Sequence, residues 1–97
     1  MFELEWTREA ESTFGKLKSS TSLSRQYKSV RKTIELLAGN PRHPSLQTHE
    51  YASLEGPNKE KIFEAYAQQN TPAAYRVFWY YGPSKGLITI LAITSHS

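Results

Sequence analysis

Two stretches near the end of the chain, Ala74–Tyr81 (AYRVFWYY) and Leu87–Thr94 (LITILAIT), decide how the rest must fold. Both are rich in β-branched and aromatic residues, and the five residues between them, Gly82-Pro83-Ser84-Lys85-Gly86, have the composition of a tight turn. Together they predict a β-hairpin. It carries Arg76 inside its first strand and has His96 just past its second. The upstream chain then has one task, to cover one face of this hairpin and leave the other available.

Working back from the hairpin, Lys61–Ala67 and Glu50–Leu54 read as two further strands, separated by Gly56-Pro57-Asn58, with Asn70-Thr71-Pro72 as the turn that follows. Pro41–His49 is a loop, since its two prolines oppose regular structure. Before it, Leu23, Tyr27, Val30, Ile34 and Leu37 recur at the spacing of an amphipathic helix. Thr21 or Ser22 is its expected N-cap and Gly39 its C-cap, with Asn40-Pro41 blocking continuation. Thr7 caps an earlier helix that runs to about Lys18 or Ser19 and aligns Ala10, Phe14 and Leu17. Phe2-Glu3-Leu4-Glu5-Trp6 alternates with period two and is a half-buried strand. The order β-α-α-β-β-β predicts an α+β fold, an antiparallel meander sheet packed on an N-terminal αα-hairpin. Pattern alone leaves open where the first strand joins.

The 97 residues predict one domain. Hydrophobic residues at 38% and charged residues at 22% exclude a disordered chain, and aromatics at 12% give a small core much area per side chain. With no cysteine there is no disulfide framework and no thiolate metal site, which fits a cytoplasmic protein. No apolar run approaches the roughly 20 residues of a membrane span. The net charge of +3 is unevenly spread. Met1–Glu11 holds four Glu against Arg8, whereas Lys16–Lys32 holds Lys16, Lys18, Arg25, Lys28, Arg31 and Lys32 with no acid. Such a run is either the solvated face of two helices or an attractor of polyanions.

Arg76 lies among apolar residues on one strand face with Phe78 and Tyr80. It is either a guanidinium aimed at a phosphate or one that snorkels or pairs with Glu64 on the neighbouring strand. His96 is a candidate general acid or base. His43, His49 and Glu50 have no metal-ligand spacing and gain a role only if their loop flanks the same face as Arg76. Lys59, Lys61 and Arg42 are candidate contacts to a nucleic-acid backbone. Tyr80 and Tyr81 are candidate stacking platforms, expected to be exposed.

The strand Tyr75-Arg76-Val77-Phe78-Trp79, the helix ending Leu36-Leu37-Ala38-Gly39-Asn40-Pro41 and the terminal Ile90-Leu91-Ala92-Ile93-Thr94-Ser95-His96, in this element order, resemble the RelE/ParE superfamily of bacterial toxins. The resemblance implies a toxin of a two-gene toxin–antitoxin module, with a cognate antitoxin as partner and no membrane. Its YoeB-like ribonuclease branch implies a metal-independent endoribonuclease, without cofactor, that cuts messenger RNA on the ribosome. Arg76 would then steady the scissile phosphate and His96 would act as general acid. His43, His49 and Glu50 lie near where that branch places its base, and none of them maps cleanly. The same fold implies two alternatives: a ParE-like inhibitor of DNA gyrase, and a non-toxic relative acting by protein contact.

Overall fold

Thr7 joins the first strand to the first helix and ties both to the sheet. In the computed structural model, which describes residues 1–68 and 74–95, strand β1 spans Glu3–Trp6 and helix α1 spans Arg8–Ser19. The Thr7 hydroxyl accepts from the Ala10 amide at 3.1 Å and donates to the Leu91 carbonyl at 2.7 Å. One side chain therefore caps the helix and anchors its start 84 residues away in sequence. Glu9 and Glu11 stand in the first turn and Lys16 and Lys18 in the last, each at the end of the helix dipole that favours its sign.

Helix α2 spans Ser24–Gly39 and buries Val30, Thr33, Ile34 and Leu37 on one stripe. Its start differs from the expectation. Thr21–Leu23 form a 3-10 turn, and Leu23 stands at the N-cap with no side-chain cap bond. Packing explains this: Leu23 is drawn against the core, while the Ser22 and Ser20 hydroxyls bond each other at 3.1 Å. At the other end Gly39 stays helical and Asn40 is the cap, its amide donating to the Leu36 carbonyl at 2.7 Å. The proline-rich loop is also more regular than expected. Pro44–Leu46 form a 3-10 turn that opens on Pro44, where a missing N–H costs nothing, and Leu46 is buried.

Four strands follow the helices, where the expected order counted three: β2 (His49–Glu55), β3 (Lys61–Tyr66), β4 (Tyr75–Tyr81) and β5 (Leu87–Ser95). The sheet order is β1-β5-β4-β3-β2. The last four strands form the expected antiparallel meander. β1 adds to β5 in parallel, from Glu3 opposite Leu87 to Trp6 opposite Ile90, so the sheet is mixed. A parallel neighbour needs a long crossover, and the αα-hairpin begins that crossover immediately after β1. In the closing hairpin Gly82 (φ 121°) and Gly86 (φ 87°) occupy backbone conformations that side chains disfavour. The buried Thr89 hydroxyl donates to the Gly82 carbonyl at 2.9 Å.

Strand alternation splits the apolar residues into two layers. Leu17, Val30, Leu37, Val77, Trp79 and Ile90 belong to the main core between helices and sheet. Ile62, Phe78 and Tyr80 form a second cluster, flanked by Tyr51, Leu91 and Ala92. On β4 these residues alternate with the core residues, so the cluster lies on the far face of the sheet. Arg76 shares that face. Among the described residues no helix is long and apolar enough to cross a membrane.

Candidate functional site

Glu64 sits in the middle of β3, in the sequence Ile62-Phe63-Glu64-Ala65, and is 2% exposed. A buried carboxylate needs partners for its charge, and the neighbouring strands supply two. In register, Glu64 faces His49 of β2 on one side and Phe78 of β4 on the other, with Arg76 two residues along β4. Arg76 Nη1 donates to Glu64 Oε2. His49 Nε2 lies 2.7 Å from Glu64 Oε1. Each carboxylate oxygen therefore holds a different base-type side chain. Of the two outcomes weighed for Arg76, the pairing with Glu64 is the one found.

The three groups differ in access. The Arg76 side chain is 19% exposed and that of His49 47%. Arg76 Cζ lies 5.3 Å from the centre of the Phe78 ring, and its Nε is buried with no hydrogen-bond partner among the described residues. His49 packs against Tyr66 with ring centres 5.6 Å apart, and its Nδ1 lies 3.3 Å from the Gln47 carbonyl. Both imidazole nitrogens thus face oxygen acceptors.

A second feature adjoins this trio. A cleft of about 410 Å³ opens between the Pro41–Glu50 segment and the helix-side face of β3 and β4, the face opposite Arg76. Arg42, His43 and Glu50 line it from the loop side, and Phe63, Trp79 and Tyr81 form its aromatic wall. Tyr81 meets Trp79 edge-on with centres 4.9 Å apart, and the Trp79 indole nitrogen is buried with no partner among the described residues. His43 is oriented by the loop itself, its Nδ1 accepting from the Ser45 amide at 3.1 Å. Glu50 is opposite Phe63 in register and 3.9 Å from Lys61 Nζ.

The structure therefore brings Arg42, His43, His49, Glu50 and Tyr81 to one cleft and links His49 to Arg76 through Glu64. Lys61 joins its rim through Glu50. Lys59 lies apart, in the turn after Gly56 at φ 65°. Tyr80, expected to be an exposed platform, is 6% exposed in the second apolar cluster, because Ile62 and Tyr51 fill the space over it. His96 lies outside the described residues. Glu64 entered the sequence reading only as a possible partner of Arg76. Its own signal was available: a carboxylate on the same strand face as Ile62 and Tyr66 is unusual without a buried cation beside it.

The fold defines a class. The chain has the RelE/ParE toxin fold, shown by structural matches that span it almost end to end. A YoeB/ParE toxin from Agrobacterium tumefaciens superposes with a TM-score of 0.71 at 12% identity, covering 98% of this chain and 99% of that one. RelE in the archaeal RelE–RelB complex from Pyrococcus horikoshii OT3 gives 0.64 at 14% identity, covering 97% and 93%. The YoeB dimer from Staphylococcus aureus gives 0.64 at 9% identity, covering 99% and 98%. No protein-family model matches the sequence, and no curated protein matches it. At these identities the likeness is one of fold.

Proposed function

We propose that this chain is the toxin of a toxin–antitoxin module and that it cleaves messenger RNA on the ribosome without a metal. The observation that carries the reading is the pair of nitrogen side chains, His49 and Arg76, held on the two oxygens of one buried carboxylate beside a cleft with an aromatic wall. RNA supplies its own nucleophile. The 2′-hydroxyl attacks the adjacent phosphorus, the bond to the 5′-oxygen breaks, and a cyclic phosphate forms. The protein has to take one proton, return one, and stabilise charge on the phosphoryl oxygens. Arg76 suits the last task. His43, His49 and Glu50 are the described candidates for the first, and the resemblance makes His96 the candidate donor. Tyr81 and Arg42 line the cleft on the helix-side face of the sheet, away from Arg76, and would hold a base and a phosphate that flank the scissile one. RelE of Pyrococcus horikoshii was solved with RelB, which supports a protein antitoxin as the partner here.

The test is cleavage of ribosome-bound message by the parent, Arg76→Ala and His96→Ala. Loss of an electrostatic or proton-transfer group is expected to slow cleavage by about 10²- to 10³-fold. Parent-like cutting by both variants overturns the site. One observation favours a second reading, inhibition of DNA gyrase by binding alone: the Arg76 guanidinium is already engaged by Glu64 and its Nε is shielded. A supercoiling assay separates the two, since this reading predicts gyrase inhibition that survives His96→Ala.

A further inference from the structure

We propose that the cleft on the helix-side face is a binding site for one guanine nucleotide, in which Glu50 reads the base, Tyr81 stacks on it and Arg42 holds its phosphate. The proposal deepens one part of the reading above, the base taken by the cleft, and its test needs no cleavage. Both walls of the cleft are fixed in advance. Tyr81 is 37% exposed, yet three rings hold it: Phe2 with centres 5.8 Å apart, Phe63 edge-on at 5.8 Å and Trp79 edge-on at 4.9 Å. The ring is therefore presented at little cost in conformational entropy, as a stacking platform requires. On the loop side, the Arg42 amide donates to Asn40 Oδ1 at 3.1 Å, the His43 amide to the Asn40 carbonyl at 2.9 Å and the Thr48 hydroxyl to the Pro41 carbonyl at 3.2 Å. The volume, about 410 Å³, lies within the range of about 300–1,000 Å³ that small-ligand sites occupy.

The polar groups around the cleft specify the ligand. The Arg42 guanidinium has no ion pair among the described residues. His43 Nδ1 accepts from the Ser45 amide, so the neutral ring carries its hydrogen on Nε2. With the Trp79 indole N–H, donors outnumber acceptors, and the ligand must bring acceptors. Glu50 is the acid that lines the cleft. It lies opposite Phe63, on the other side of the sheet from Arg76, and its 3.9 Å contact with the well-exposed Lys61 holds it only weakly. Among the RNA bases guanine alone carries a keto oxygen beside two N–H donors on one edge. Its N1–H and N2–H donate to the two Glu50 oxygens, its O6 accepts from His43 Nε2–H, and its phosphate meets Arg42. Adenine sets the lone pair of N1 against the same carboxylate and is disfavoured.

The experiment titrates the full chain with GMP and with AMP by calorimetry, and follows the indole N–H signals of its two Trp residues by NMR. GMP is expected to bind about tenfold or more tighter than AMP. The Trp79 signal should shift on binding, while that of Trp6, which packs on Phe14, stays in place. Glu50→Gln is expected to abolish the preference for GMP and leave AMP affinity near the parent value. Tyr81→Ala is expected to weaken both nucleotides by about fivefold or more. A 2′-O-methyl oligouridylate with one central guanine distinguishes the sources of the ligand. Tighter binding than GMP assigns the site to RNA, and affinity no better than that of GMP assigns it to the free nucleotide. Equal affinity for GMP and AMP, or a Glu50→Gln variant that keeps the preference, overturns the proposal. So does a chain that binds neither GMP nor the oligonucleotide. A chain that cuts ribosome-bound message without these preferences leaves the ribonuclease reading standing. A preference for GMP in a chain that cuts nothing sinks that reading alone.

Discussion

Arg76 and Glu64 show at a single pair why buried charge is retained only in company. Removing Glu64 leaves Arg76 as an unpaired ion in an apolar sheet face, next to Phe78, whereas removing Arg76 leaves Glu64 with His49 alone. Glu64→Ala is therefore expected to destabilise the fold by about 3–5 kcal/mol, whereas replacing Glu64 and Arg76 together by Leu and Met should cost far less, since no orphan charge remains. Denaturant titrations of the parent, both single variants and the double variant measure this as a coupling energy. Additive effects of the single changes would contradict it. Thr7 makes a different kind of case, because its one hydroxyl serves two backbone groups. Thr7→Ala loses both the cap and the tie to Leu91 and is expected to cost about 1–2 kcal/mol. In a domain of this size that is a fall in Tm of roughly 4–16 °C, readable by thermal melting. Thr7→Ser keeps the hydroxyl and should stay close to the parent.

Among elements, the four antiparallel strands differ sharply in how they are held. β5 lies between β1 and β4, and β4 between β5 and β3, with Val77, Ile88 and Ile90 wholly buried. β2 is an edge strand. It pairs with β3 at His49, Glu50 and Glu55, and the register shifts in between. Ala52, Ser53 and Leu54 are exposed, and only Tyr51 reaches the second cluster. Amide hydrogen exchange should accordingly be slowest at Val77, Ile88 and Ile90 and faster by several orders of magnitude across Tyr51–Leu54. Equal protection in β2 and β5 would refute this ordering. The same contrast explains what could be read from the sequence. β1, α1 and the closing hairpin were legible to within a residue or so because alternation, a Thr cap and a Gly-Pro turn are local signals. The parallel seat of β1 beside β5 was not, since nothing in Phe2–Trp6 names a partner some 84 residues away. Nor was the burial of Tyr80, which depends on Ile62 and Tyr51 from two other strands. The site divides in the same way. Arg76 stood out as a cation in an apolar strand. Glu64 became central only once the β3–β4 register set it diagonal to Arg76 and opposite His49.

At the scale of the whole molecule, charge and chemistry are spatially separate. Lys16, Lys18, Arg25, Lys28, Arg31 and Lys32 are all exposed on the helical layer. Arg31 is partly engaged, 3.8 Å from Glu35 and over the Tyr27 ring, which leaves Arg25, Lys28 and Lys32 as the freer cations of α2 among the described residues, the last two one turn apart. Glu64 and Arg76 are on the opposite side of the sheet, in a molecule whose smallest extent is 24 Å. The Debye length at physiological salt is about 8 Å, so the helix charges cannot act on a phosphate held at Arg76. They can only draw a polyanion toward the protein and hold it there. Lys28→Glu combined with Lys32→Glu is therefore expected to raise KM for ribosome-bound message and leave kcat near the parent value, unlike Arg76→Ala, which is expected to slow the cleavage step itself. On a 2′-O-methyl RNA, which binds without being cut, the plot of log affinity against log salt should flatten by about 1.4–1.8 in slope, the share of two lost phosphate contacts. A slope unchanged by reversing both lysines would mean that the basic surface is merely solvated, and that whatever RNA binding occurs is confined to the sheet and the cleft beside it.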